Sequence, residues 1–156
     1  MSHVPLSLQC SVSNKNMHST AHTILSAVQQ TLSEHGALSV TVVGHSLGAA
    51  LALLDGVYIH VQLTSVSVRV VSYGMPRVGN QDFANWVDKN LSGRVTHVNN
   101  EEDPVPTVPG MFLGFVHVSG EVHITDSGAW ENCPGERFSS LAVSLSGVRV
   151  RHYLGR

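Results

Sequence analysis

A serine lies between two glycines in Gly44-His45-Ser46-Leu47-Gly48, after the β-prone run Val40-Thr41-Val42-Val43 and before a stretch of small apolar residues. A lone G-x-S-x-G is a weak signal, because small residues gather in many plain strand-to-helix loops. The setting makes it specific: strand, serine, helix is the arrangement that a nucleophile elbow requires. The reason is steric. A serine on so tight a turn takes strained backbone angles, and side chains two positions either side would collide with it. Gly44 and Gly48 are therefore both expected to be needed. Such a turn lifts Oγ clear of the sheet and sets Ser46 at a helix N-terminus, where free N–H groups stabilise a developing oxyanion. The N–H of Leu47 is the expected donor.

A serine needs a base at neutral pH, and the base needs an orienting carboxylate. On such an elbow the chain order is serine, acid, histidine. Asp103 is the best acid, just after a strand and within a proline-stiffened loop; Glu101 and Glu102 compete with it as members of a solvated acidic loop. Three histidines follow: His117, His123 and His152. The first two fall in stretches that read as strands, so His152, near the C-terminus, is the candidate base. His45 adjoins the nucleophile on the wrong side of the elbow and reads as a packing or hydrogen-bonding residue.

The elements that must position these groups are legible. From Asn16 to His35, the residues Ala21, Ile24, Leu25, Val28 and Leu32 recur at helical spacing, and Gly36 supplies the stop. Residues 39–43 read as a buried strand, and 46–62 as a helix apolar almost all round. Val66–Tyr73 is a second strand. Asn80 caps a helix whose Phe83, Trp86, Val87 and Leu91 share a face, with Asp82 near its positive end. Residues 94–98 form a third strand and 99–110 a loop, since three prolines in six residues forbid a regular ladder. Residues 115–124 read as two strands meeting at Ser119–Gly120. The alternation predicts an α/β layered fold with a mainly parallel sheet.

The 156 residues suit one domain. Charged residues are only 13% of the chain, about half the usual share, so the surface is short of charge. The formal net charge of −2, with no basic block before residue 137, gives no nucleic-acid footprint. Ten histidines are scattered without a carboxylate or cysteine partner at metal-like spacing, so no metal site is expected. Cys10 and Cys133 are compatible with one disulfide or two thiols. The first residues lack the pattern of a secretory signal, and no apolar run approaches the ~20 residues of a membrane span. Composition shifts near residue 137, where four of the nine Lys and Arg gather without an acid. The division expected is a domain over 1–136 and an atypical tail over 137–156.

Four stretches in order, VTVVGHSLGAALALLDG, VSYGMPRVGNQDFANWVD, VNNEEDPVPTVPG and GFVHVSGEVHI, resemble the fungal-type class 3 triacylglycerol lipases, an α/β-hydrolase family. The resemblance runs from about His18 to Gly135. It implies a partial α/β-hydrolase fold, ester hydrolysis in lipid metabolism without a cofactor, an ester or lipid substrate, Ser46 as nucleophile, Asp103 as triad acid and Leu47 as an oxyanion donor. It also implies secretion. Family members carry N-terminal strands, a lid and an F-R-G-[ST]-like segment with the second oxyanion donor, and no such segment is found, so the chain is expected to be truncated. Their histidine sits in a D-H-x-x-Y-like pattern. Aligning Tyr153 with that tyrosine puts Val150 and Arg149 in the histidine and aspartate places, with His152 two residues beyond the histidine place. Two further readings stand beside the lipase: an impaired fragment that binds acyl chains or a protein, and a feruloyl or other aromatic esterase.

Overall fold

The computed structural model describes residues 15–133. The His152 site, Cys10 and the boundary at 136/137 lie outside them. The elements follow in the order α1 (Lys15–His35), β1 (Ser39–His45), α2 (Leu47–Gln62), β2 (Ser67–Tyr73), α3 (Gln81–Asn90), β3 (Val95–Asn100), β4 (Glu121–Ile124) and β5 (Trp130–Cys133). Two short 3-10 turns, Val105–Thr107 and Met111–Leu113, lie between β3 and β4. The five strands form one sheet in chain order. β1 to β4 are parallel, and β5 returns antiparallel to β4. The carboxyl ends of β1, β2 and β3 therefore share one edge.

The core lies on one face of this sheet. Val68, Val70 and Ser72 alternate inward along β2, and Leu53, Val57 and Ile59 of α2 pack with Phe83, Val87 and Leu91 around α3 into the same cluster. α2 crosses β2 closely: a Cβ at Gly56 would sit 2.5 Å from Val70 Cγ2. α1 contributes the stripe expected of it, with Leu25 buried and Val28 packed on the core. Asn80 caps α3 through Oδ1, which accepts the Phe83 N–H at 3.0 Å.

Three expectations need correction. β1 is not buried: exposed and half-buried residues alternate along it, because among the described strands it pairs only with β2 and has a core on one side. Residues 115–124 hold one strand, not two. Phe115–Val118 makes only an isolated antiparallel bridge, Val116 to Gly79 just before α3 and outside the sheet, and Val118 drops into the core, so the alternating pattern is satisfied without a ladder. β5 was unforeseen, since Trp-Glu-Asn-Cys carries no β pattern and is held by its pairing with β4. Among the described residues no helix is long and apolar enough to cross a membrane.

Candidate active site

Ser46 joins β1 to α2 with φ 54° and ψ −128°, a positive φ that side-chain-bearing residues rarely adopt and that costs of order 1–3 kcal/mol. The neighbouring strand holds the turn: the Ser46 N–H donates to Tyr73 O at 2.9 Å. The first turn of α2 follows at once: the Ala49 N–H already bonds Ser46 O at 2.9 Å, while the Leu47 and Gly48 N–H groups ahead of it have no carbonyl one turn back to bond. The two glycines are not equivalent. A Cβ at Gly44 would overlap the Gly48 carbonyl and come within 2.7 Å of Ala49 Cα, whereas one at Gly48 would meet nothing within 4 Å. The steric requirement therefore falls on Gly44 alone, where the strand runs against the first turn of the helix. His45 ends β1 exposed, paired with Tyr73 in register, rather than packed.

Asp103 lies on the same edge. β3 ends at Asn100, Glu101 takes φ 43° with its N–H on Ile124 O, and the Asp103 N–H returns to Asn100 O at 3.0 Å. This tight exit turns Asp103 inward and leaves Glu101 and Glu102 exposed. Asp103 Oδ1 accepts the Val105 N–H at 2.9 Å. Its other oxygen sits over Gly74, where a Cβ would approach Oδ2 to 2.7 Å and where φ is +55°. Gly74 follows Tyr73, the residue whose carbonyl holds Ser46. The end of β2 thus separates serine from carboxylate by about one strand spacing on each side, roughly 4.8 Å each.

The histidines divide by role. His97 is fully buried in β3, and its Nε2–H donates to Val118 O at 3.0 Å. His117 donates from Nε2 to Pro106 O at 2.8 Å, and the two rings stack with centroids 5.1 Å apart. Burial first, and then the neighbouring His117, lower the pKa of His97, so that it stays neutral. His117 is therefore outside any strand and fastens the loop that follows Asp103. His123 is half-buried in β4, opposite Asn99. Sequence reasoning missed Gly74, Arg77 and this use of His117. Arg77 donates from its guanidinium to Thr107 O and to Pro109 O at 2.9 Å, and its backbone N–H bonds Val108 O. Gly74 and Arg77 stood out only as turn residues, with nothing in their spacing to tie them to positions thirty residues on. Cys133 carries a free, half-buried thiol whose pKa is raised by burial and then by Glu121 and Glu131.

Residues 7–113 match the family model described as Lipase (class 3). The chain belongs to the class 3 lipase family. Among curated class 3 lipase relatives, a secreted mono- and diacylglycerol lipase of Malassezia globosa is 43% identical over 99 residues, 62% of this chain and 33% of its own length. Another from the same organism is 37% identical over 116 residues, 73% of this chain and 38% of its own. The chain thus spans about a third of the length of these relatives. Lipase II from Rhizopus niveus superposes with a TM-score of 0.65 at 29% identity, covering 79% of this chain and 50% of that one. A triacylglycerol lipase described as having a serine protease triad as its catalytic centre gives the same TM-score and identity over 83% of this chain and 52% of that one. The mostly parallel sheet with its helices is the α/β-hydrolase fold of these class 3 lipases.

Proposed function

We propose that this chain carries the nucleophile and acid of a carboxylic-ester hydrolase acting on acylglycerols. The observation that carries the reading is Ser46: a positive-φ serine on the turn between a parallel strand and a helix, in a class 3 lipase chain. Ser46 Oγ attacks the acyl carbonyl while an imidazole takes its proton, and the Leu47 N–H receives the oxyanion. The imidazolium protonates the departing alcohol, and Asp103 orients the ring throughout. Water, deprotonated by the same imidazole, then releases the fatty acid and frees Ser46. His152 is the proposed base and His123 its competitor. The chemistry needs no cofactor, and the lipid-water interface is the natural place to meet such a substrate.

A fluorophosphonate probe should label the full chain at Ser46, and Ser46→Ala should abolish both labelling and hydrolysis of a short p-nitrophenyl ester. Asp103→Asn should lower turnover about 10⁴-fold with the fold retained. His152→Ala and His123→Ala, compared in the same assay, identify the base. A folded chain that resists labelling would overturn the catalytic reading in favour of an acyl- or protein-binding fragment. A triglyceride emulsion assayed beside a soluble aromatic ester separates lipase from feruloyl-type activity.

A further inference from the structure

The nucleophile turn and the acid are held by one short stretch of chain. Tyr73 O takes the Ser46 N–H at 2.9 Å, and Gly74 lies so close under Asp103 Oδ2 that a Cβ there would come within 2.7 Å of it. Three residues beyond Gly74, the half-buried Arg77 reaches the loop that carries Asp103. Its guanidinium nitrogen Nη1 donates to Thr107 O and to Pro109 O, and its backbone N–H donates to Val108 O at 2.9 Å, so three successive carbonyls end on one residue. The base of this latch is fixed as well. Met75 is 1% exposed in the core, the Gly74 N–H bonds Val98 O at 2.8 Å, and Pro76 restricts the backbone just before Arg77.

The latched carbonyls lead back to the carboxylate through a closed set of bonds. The Val108 N–H donates to Val105 O, the Thr107 N–H to Pro104 O, and the Val105 N–H to Asp103 Oδ1 at 2.9 Å. Asp103 thus sits at one end of a short bonded turn whose other end is tied to Arg77. A guanidinium placed directly on the carboxylate would compete with an imidazolium for its charge. Arg77 instead takes carbonyls, whose dipoles suit a cation, and leaves Oδ2 over the bare Gly74. We propose that Arg77 is a positioning residue for ester hydrolysis: by holding 107–109 it fixes Asp103 relative to the Ser46 elbow, and so the orientation of the imidazole that must lie between them. The role rests on the proposed assignment of Ser46 as nucleophile and Asp103 as acid. Lysine is a poor substitute, since its ammonium is a point charge on a flexible stem and lacks the planar fork.

The test measures turnover of a short p-nitrophenyl ester by the full chain and its variants. Arg77→Ala should lower kcat about 10²-fold, the loss expected when a triad member shifts by about 1 Å, with KM little changed. Millimolar guanidinium ion should restore part of that loss, and NaCl at equal ionic strength should not. Two further readouts would not follow from lost stability alone. A carboxylate facing the imidazole raises the pKa of the base, so the acid limb of kcat/KM should move to lower pH in Arg77→Ala. Adding Arg77→Ala to Asp103→Asn should cost almost nothing more, because Arg77 acts through the carboxylate. Arg94→Ala removes another guanidinium–carbonyl bond, to Asn90 O at the opposite end of β3, and should leave turnover unchanged. Should Arg77→Ala fail to fold, Arg77→Lys gives the same pH shift and the same absence of added loss, at a smaller fall in kcat. Parental turnover in Arg77→Ala, or losses that multiply in the double variant, overturns the positioning role alone. A folded parent whose Ser46 resists the fluorophosphonate overturns the catalytic reading, and the role of Arg77 with it.

Discussion

Substituting the two glycines that flank Ser46 should have opposite effects. Gly44→Ala forces a methyl into the Gly48 carbonyl, with only backbone atoms to yield, and should destabilise the protein by about 3 kcal/mol, the upper end of overpacking costs. Gly48→Ala enters open space in the first turn of α2 and should stabilise by about 0.5–1 kcal/mol through helix propensity. Urea denaturation of the two variants reads both signs. Ser46 itself was legible because its geometry is local: strand, turn and helix are contiguous in sequence. Asp103 was legible as one acid among three, and what selects it is the Glu101 turn and the bare Cα of Gly74. That contact links residues 29 positions apart, and no spacing announces it.

Elements were legible where a single periodicity decided them. The α3 cap is such a case: Asn80→Ala should cost about 1 kcal/mol in a chemical-denaturation series, since only the Phe83 N–H loses its partner. Periodicity says which face of a segment is apolar, not whether a neighbour covers it or a ladder continues it. The β-branched run of β1 therefore read as buried and is half-exposed, and Phe115–Val118 alternates without a strand partner. β5 depends wholly on its partner, so its own four residues held no clue. The Asp103 loop read as irregular because of its prolines, yet Arg77 and His117 fasten its carbonyls from Pro106 to Pro109.

Across the whole molecule, the stacked His97 and His117 give stability a pH dependence of definite sign. Burial holds His97 below its ordinary value of 6.5, so over the window between the two values the unfolded chain binds more protons than the folded one. Stability is full above 6.5, falls as the pH drops from there, and levels off once the folded value is passed. His60, lowered by burial and then by Arg94, contributes with the same sign. The urea midpoint should fall between pH 7.5 and 5.5, and His97→Gln, whose amide can still donate to Val118 O, should flatten that slope. The close crossing at Gly56 reaches still further. Ser46 sits ten residues away, about 15 Å up a rigid rod of α2 that pivots on Val70. A wedge as small as one methyl at that pivot would tilt the rod and swing its upper end. The aim of the serine is governed from a spot no substrate reaches, and reactivity can be detuned there with every reacting group left intact.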